Sequence, residues 1–159
     1  MELCITLGGG PPSAERAKTD LWITWQTLSA ARQVASSTAG VYWLGAPFNI
    51  AYGKTISRIF YIGSAISLRR RLEAHATLGQ RGNLLVRVFA SGDPSNILCA
   101  FHSLPELKED ELRGFEYGLV KIFGRTHGFI PYGNRMPPDN ESDEGWGDRL
   151  RVTEPETPG

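Results

Sequence analysis

Apolar residues recur along this chain in two rhythms. In "SAERAKTDLWITWQTLSAARQVASS", Leu21, Trp25 and Leu28 fall at i, i+4 and i+7, and Ala31 continues the stripe. That period predicts an amphipathic helix over about 13–37, packed by one face on the main body. "GVYWLG" (40–45) and "SRIFYIG" (57–63) are instead rich in strand formers. With the turn residues of "APFNIAYGK" between them, they predict a long hairpin. Ser64 or Ser67 is placed to cap a helix over about 66–77. "LLVRVFAS" (84–91) alternates around Val86 and Val88 and predicts a strand, and "NILCAFHSL" (96–104) predicts another. "GQRGN" and "GDPS" read as turns. Leu112, Phe115, Leu119 and Ile122 mark one face of a last helix within 105–124, with Gly124 as its stop. "RTHGFIPYGN" reads as a loop, and Leu3 to Leu7 as a short strand ended by glycines.

The order is helix, hairpin, helix, two strands, helix. It predicts an α+β fold with a small central antiparallel sheet flanked by helices. Residues 1–39 form an N-terminal strand and helical extension, and 40–134 the main domain. Residues 135–159 form an acidic tail rich in proline and glycine. The tail has too few apolar residues to bury much surface, so it is expected to be loosely ordered.

Composition narrows the class. The chain has 159 residues, of which 41% are hydrophobic and 21% charged, enough apolar content for a real core. No apolar run approaches the roughly 18–20 residues that span a bilayer. "MELCITLGGGPP" lacks the basic start and long apolar stretch of a secretory leader. Cys4 and Cys99 belong to no Cys-x-x-Cys pair, so no zinc site is indicated, and a reducing cytoplasm is the expected compartment. Net charge is zero, but it is unevenly placed. Residues 40–134 hold eleven basic and seven acidic side chains, while 135–159 hold three and seven. The basic middle is compatible with an anionic partner.

The candidate chemistry gathers behind Gly63. In "FYIGSAISLRRRLEAH", Arg71 and His75 stand at i and i+4 and share a helix face; Arg69 and Arg70 point elsewhere. An arginine fork suits a phosphate, and a histidine beside it can handle a proton. The same helix also reads as a solvated basic face with a stray histidine. Tyr42 and Tyr61 lie on the two strands of the hairpin, where a tyrosine is either core or, with help, a base. Glu116 adjoins the apolar position Phe115. It is either a surface glutamate or a carboxylate facing the cluster, where it would bind a metal.

These residues resemble the GIY-YIG nuclease superfamily. "GVY" (40–42) and "YIG" (61–63) are similar to its two signature tripeptides. "YIGSAISLRRRLEAH" is similar to its Tyr-Ile-Gly-Ser-x-x-(Asn/Ser)-Leu-x-x-Arg-Leu-x-x-His pattern. Glu116 and the Asn134 of "PYGN" match its later glutamate and asparagine, so the resemblance covers roughly 40–134. Eighteen residues separate Tyr42 from Tyr61, more than that family usually places there, so the hairpin or its loop is expected to be longer. The resemblance implies hydrolysis of DNA phosphodiesters with one Mg²⁺ or Mn²⁺. Tyr42 would be the general base aided by His75, and Arg71 would contact the scissile phosphate. Tyr61 would line the site, Glu116 would bind the metal with Glu111 as fallback, and Asn134 would fix the loop that closes the site. Arg69 and Arg70 read as solvent-facing or as DNA-backbone contacts, and Lys54, Arg58 and Arg87 as backbone contacts or ordinary surface charge. His102, His127 and Trp146 are minor candidates.

Three functions remain open on these residues. The first is a metal-dependent endonuclease in restriction, phage defence, mobile-element or repair biology. The second is a nuclease-like module that binds nucleic acid or another subunit without cutting. The third is a nuclease subunit activated by a partner that supplies specificity, its acidic tail occupying the basic groove until then.

Overall fold

A long hairpin frames the fold. The computed structural model describes residues 2–6, 20–136 and 154–155; of 2–6 and 20–24 it describes the backbone path alone. Strands β1 (Glu2–Thr6) and β2 (Asp20–Thr24) pair antiparallel as a separate ribbon. Then come β3 (Gln26–Thr27), α1 (Leu28–Val34), β4 (Gly40–Tyr52), β5 (Thr55–Ala65), α2 (Leu68–Ala76), α3 (Leu84–Ala90), β6 (Leu98–Ser103) and α4 (Glu109–His127). The second sheet is antiparallel throughout, in the order β3-β6-β4-β5, and among the described residues four α-helices surround it. This is the expected α+β architecture. No helix among the described residues is long and apolar enough to cross a membrane.

The eighteen residues between the two tyrosines lengthen the hairpin. β4 and β5 run from Gly40↔Ala65 to Tyr52↔Thr55, joined at Gly53, which has φ +38°. The register slips twice. Leu44 opposes Tyr61 while Gly45 opposes Ile59, so Phe60 bulges. Ala46 to Asn49 form a larger irregularity in β4, which accommodates Pro47.

Alternation then sorts the side chains. Val41, Trp43, Ile59 and Ile62 face α4 and pack with Leu112, Phe115, Leu119 and Phe123. Tyr42, Leu44 and Phe60 face the other way, onto Leu28, Leu68, Leu72 and Val86 of α1, α2 and α3. The sheet is thus covered on both sides. Gly40 lies where β6 passes: a Cβ there would come within 2.2 Å of the His102 carbonyl oxygen.

Several expected elements differ. The last helix runs past Gly124 to His127 and is stopped by Gly128 at φ +100°. Of the helix expected over 13–37, the described residues 20–37 are α-helical only from Leu28 to Val34. Asp20–Thr24 and Gln26–Thr27 are strands, and Thr27 caps α1 by accepting from Ala30 N at 3.2 Å. Residues 25–39 share the main core, since β3 pairs with β6 and Leu28 is fully buried. The strand expected at 84–91 is helix α3, with Val86 and Ala90 buried one turn apart and Val88 exposed. Of the tail, Glu154 and Pro155 are described. Glu154 accepts from Ser57 Oγ at 2.6 Å and pairs with His127 Nε2 at 3.0 Å. That contact is near the closed end of the hairpin. The rest of the tail, Trp146 included, lies outside the described residues.

Candidate active site

Ser67 starts the site by ending β5's corner and capping α2, its hydroxyl accepting from Arg70 N. Leu68, Leu72, His75 and Ala76 form the buried face of α2. His75 is thereby carried into the core beneath Tyr42. Tyr42 Oη lies 2.9 Å from His75 Nε2, and Arg71 Nε donates to the same oxygen at 3.2 Å. Arg71 Nη1 donates to the Arg81 carbonyl at 3.0 Å, so the guanidinium is braced at two points. The Tyr61 ring stands 5.9 Å from those of both Tyr42 and His75.

Glycine makes this convergence possible. Gly63 is directly opposite Tyr42 in the register. A Cβ on Gly63 would lie 2.5 Å from Tyr42 Cζ and from its hydroxyl oxygen.

Glu116 arrives from the other side of the sheet. Ser64 alternates with Gly63, so it faces α4 and donates from Oγ to Glu116 Oε2 at 2.5 Å. β5 is an edge strand, and the two faces meet at its end. An open cleft of about 900 Å³ forms there, lined by Ser64, Arg70, Arg71, Arg113 and Glu116 among others. Arg71 and Glu116 therefore face one space although they come from opposite layers.

The electrostatics follow from burial. The Tyr42 phenol is pushed well above its ordinary range, first by burial and then by Tyr61, with Arg71 acting against both. His75 is driven down to about 3 by burial, and the Arg71 charge adds to the effect. Burial also raises the Glu116 carboxyl, opposed by Ser64, Arg113 and Arg71. In the free protein at neutral pH, Tyr42 keeps its proton and His75 is uncharged.

The low His75 value sets a pH dependence of stability. The unfolded chain protonates this imidazole near 6.5, while the folded protein resists to about 3. Its contribution is full above pH 6.5 and is lost as pH falls toward 3, at about 1.4 kcal/mol per unit. Urea unfolding of wild type and His75→Gln at pH 7 and pH 5 should show a shallower loss in the variant. Equal losses would mean that His75 is not held neutral.

Asn134 is brought to β5 and not into the cleft. Its Oδ1 accepts from Ile62 N at 2.9 Å and its Nδ2 donates to Ile62 O at 2.7 Å. With Gly133 N donating to Phe60 O at 2.8 Å, the 131–134 loop covers the open edge of β5. Asn134 thus pins a loop beside Tyr61 and Gly63. Arg70 lines the cleft, but Arg69 Nε is turned away, donating to Ala35 O at 2.9 Å. Lys54 sits at the far end of the hairpin, its Nζ donating to Arg125 O at 3.3 Å. Glu111, the fallback carboxylate, accepts from Lys108 N at 2.9 Å and caps α4. His102 is half-buried on β6, and His127 is held by Thr55 and Glu154.

Sequence reading missed three neighbours. Asn83 was hidden in "GQRGN", read only as a turn; its signal was an asparagine in the N-cap position of α3. Ser64 stands in the matched motif, but nothing in the sequence shows that it reaches Glu116. Arg113 precedes Glu116 by three residues, the spacing of one helix face.

Searches against protein-family models, curated proteins and solved structures each return no match for this chain.

Proposed function

We propose that this protein is a divalent-metal-dependent DNA endonuclease of the GIY-YIG kind, acting in the cytoplasm. The observation that carries this reading is the convergence on one phenol oxygen: His75 and Arg71 both bond to Tyr42 Oη, and Arg71 shares a cleft with Glu116. Phosphodiester hydrolysis needs an activator of water and positive charge for the pentavalent transition state. Tyr42 is the activator once it loses its proton, and donors on its oxygen stabilise the phenolate. Arg71, with Arg70 and Arg113 along the cleft, supplies positive charge for the phosphate backbone.

Glu116 would hold the metal. Among the described residues no three His, Cys, Asp or Glu side chains gather to bind an ion. One carboxylate, completed by water and phosphate oxygens, is a donor set that suits Mg²⁺ or Mn²⁺. Such an ion supplies Lewis-acid stabilisation of the phosphoryl oxygens.

The test is cleavage of plasmid and single-stranded DNA with Mg²⁺ or Mn²⁺. Glu116→Ala and Tyr42→Phe should each lose cleavage by at least about 10²-fold, the scale of removing one transition-state contact. Because Tyr42 is raised and His75 is silent, the wild-type rate should climb with pH from 6 to 9 without an imidazole inflection. Variants that cut as well as wild type, or a pure protein that cuts nothing with either metal, would refute the reading.

One observation favours a binding module instead: Tyr42 is 0% exposed in the free protein. Salt-dependent DNA binding without cleavage would support that alternative. A partner that opens the site would reconcile the two.

A further inference from the structure

We propose that Asn83 is a positioning residue that locks His75 as its Nε2–H tautomer, making the imidazole a hydrogen-bond donor to Tyr42 and not a proton acceptor. The proposal rests on the nuclease reading for its purpose, though not for its geometry.

Asn83 N lies 3.0 Å from His75 Nδ1 and donates to it. A backbone amide can only donate, so Nδ1 must present its lone pair. The ring is neutral, which leaves the single proton on Nε2. Nε2–H then points at Tyr42 Oη, 2.9 Å away. Tyr42 Oη therefore accepts from two donors, His75 and Arg71. Its own proton is turned away from both. A phenolate formed there keeps both hydrogen bonds. With the opposite tautomer, bare Nε2 would have to accept from the phenol, and it would repel a phenolate.

The amide is held where it is by its own side chain. Asn83 Oδ1 accepts from Leu85 N at 2.9 Å and caps α3. Asn83 Nδ2 donates to Gly133 O at 3.3 Å, next to the Asn134 that clamps Ile62. One residue thus ties α3, the loop over β5 and the imidazole beneath the site. The clamp at Asn134 acquires a use beyond covering the edge, since it steadies the loop that Asn83 grips.

One variant removes the amide itself. Asn83 has φ −68° and ψ 138°, both compatible with proline, but the proline Cδ would take the place of the amide hydrogen aimed at His75 Nδ1, so the imidazole must shift as well as lose its donor. Asn83→Ala and Asn83→Pro lose the same side-chain bonds, but only proline loses the N–H. The measurement is a two-bond ¹H–¹⁵N correlation spectrum of protein labelled in its histidine rings, with His75→Gln to assign the signal. Wild type at pH 7 should show His75 protonated at Nε2 alone, unchanged at pH 5. Asn83→Ala should keep that tautomer. Asn83→Pro should show a mixture or the Nδ1–H form, with cleavage at least tenfold below Asn83→Ala. A wild-type His75 protonated at Nδ1 would overturn the proposal. So would a folded Asn83→Pro with the wild-type tautomer and the alanine variant's activity. If the proline variant does not fold, the wild-type spectrum decides alone. The expected spectrum in a protein that cuts no DNA would remove the nuclease reading and leave the lock standing.

Discussion

Arg71→Ala should lower DNA cleavage by about 10²- to 10³-fold, the cost typical of removing one preorganised donor from a transition state. Two losses combine. The variant removes positive charge from the cleft that Glu116 lines, and it removes the Nε donor on Tyr42. Burial already holds that phenol high, and Arg71 is the group opposing it, so the variant's phenolate becomes still harder to form. Arg71→Lys should recover less than tenfold. A lysine restores the charge, but it has no planar fork to reach Tyr42 Oη and the Arg81 carbonyl together. Stability should fall far less, by about 1–2 kcal/mol, because the two hydrogen bonds lost are partly solvated. Cleavage assays alongside thermal unfolding separate the two effects. A variant that cuts within threefold of wild type would take Arg71 out of the mechanism.

Arg71 also shows which parts of the site a sequence can reveal. Its spacing to His75 puts both on one helix turn, and a helix keeps that promise locally. That Tyr42 and Tyr61 share one hairpin was equally accessible, but the pairing of Tyr42 with Gly63 was not: the register set at the turn would place Tyr42 opposite Ala65, and the two slips move it to Gly63. Glu116 could be named as a candidate but not placed. Its approach depends on β5 being an edge strand and on Ser64 facing the opposite layer from Gly63, both consequences of long-range topology. Asn83 was invisible for another reason. The bond that matters comes from its backbone amide, which every residue but proline possesses. The misread elements have physical causes too. Val86 and Val88 alternate as strand residues do, yet α3 buries Val86 with Ala90 and leaves Val88 in solvent. β-branched content outweighed a seven-residue helix whose clearest mark was its asparagine cap. Leu21, Trp25 and Leu28 keep a helical period by coincidence, since they belong to β2, a linker and the first turn of α1.

Gly63→Ala should destabilise the fold by about 1–3 kcal/mol, the usual cost of overpacking a closed site. A strand ordinarily gains from replacing glycine, so a loss here would isolate the collision. The new methyl would meet Tyr42 Cζ and Oη at 2.5 Å, and Tyr61 Cε1 at 2.8 Å. Tyr61 is half-buried and can shift. Tyr42 is enclosed, with its hydroxyl held between His75 and Arg71, so any movement of its ring breaks those bonds. Cleavage should therefore drop by about 10²-fold even where the variant is folded, as displacement of a reacting group by about 1 Å can do. A double-mutant cycle tests the cause. Tyr42→Ala alone should cost about 3–5 kcal/mol, in line with other large-to-small changes of buried aromatics. In that background Gly63→Ala meets only the Tyr61 ring, which can shift, and partly refills the cavity, so most of its cost should vanish. Urea unfolding of the four proteins gives the coupling energy directly, expected near 2 kcal/mol. Additive costs would mean that the glycine is required for some reason other than the tyrosine opposite it. Strong coupling would tie the second tripeptide to the first through one contact: the bare face of Gly63 is the space in which Tyr42 carries its hydroxyl to Arg71 and His75.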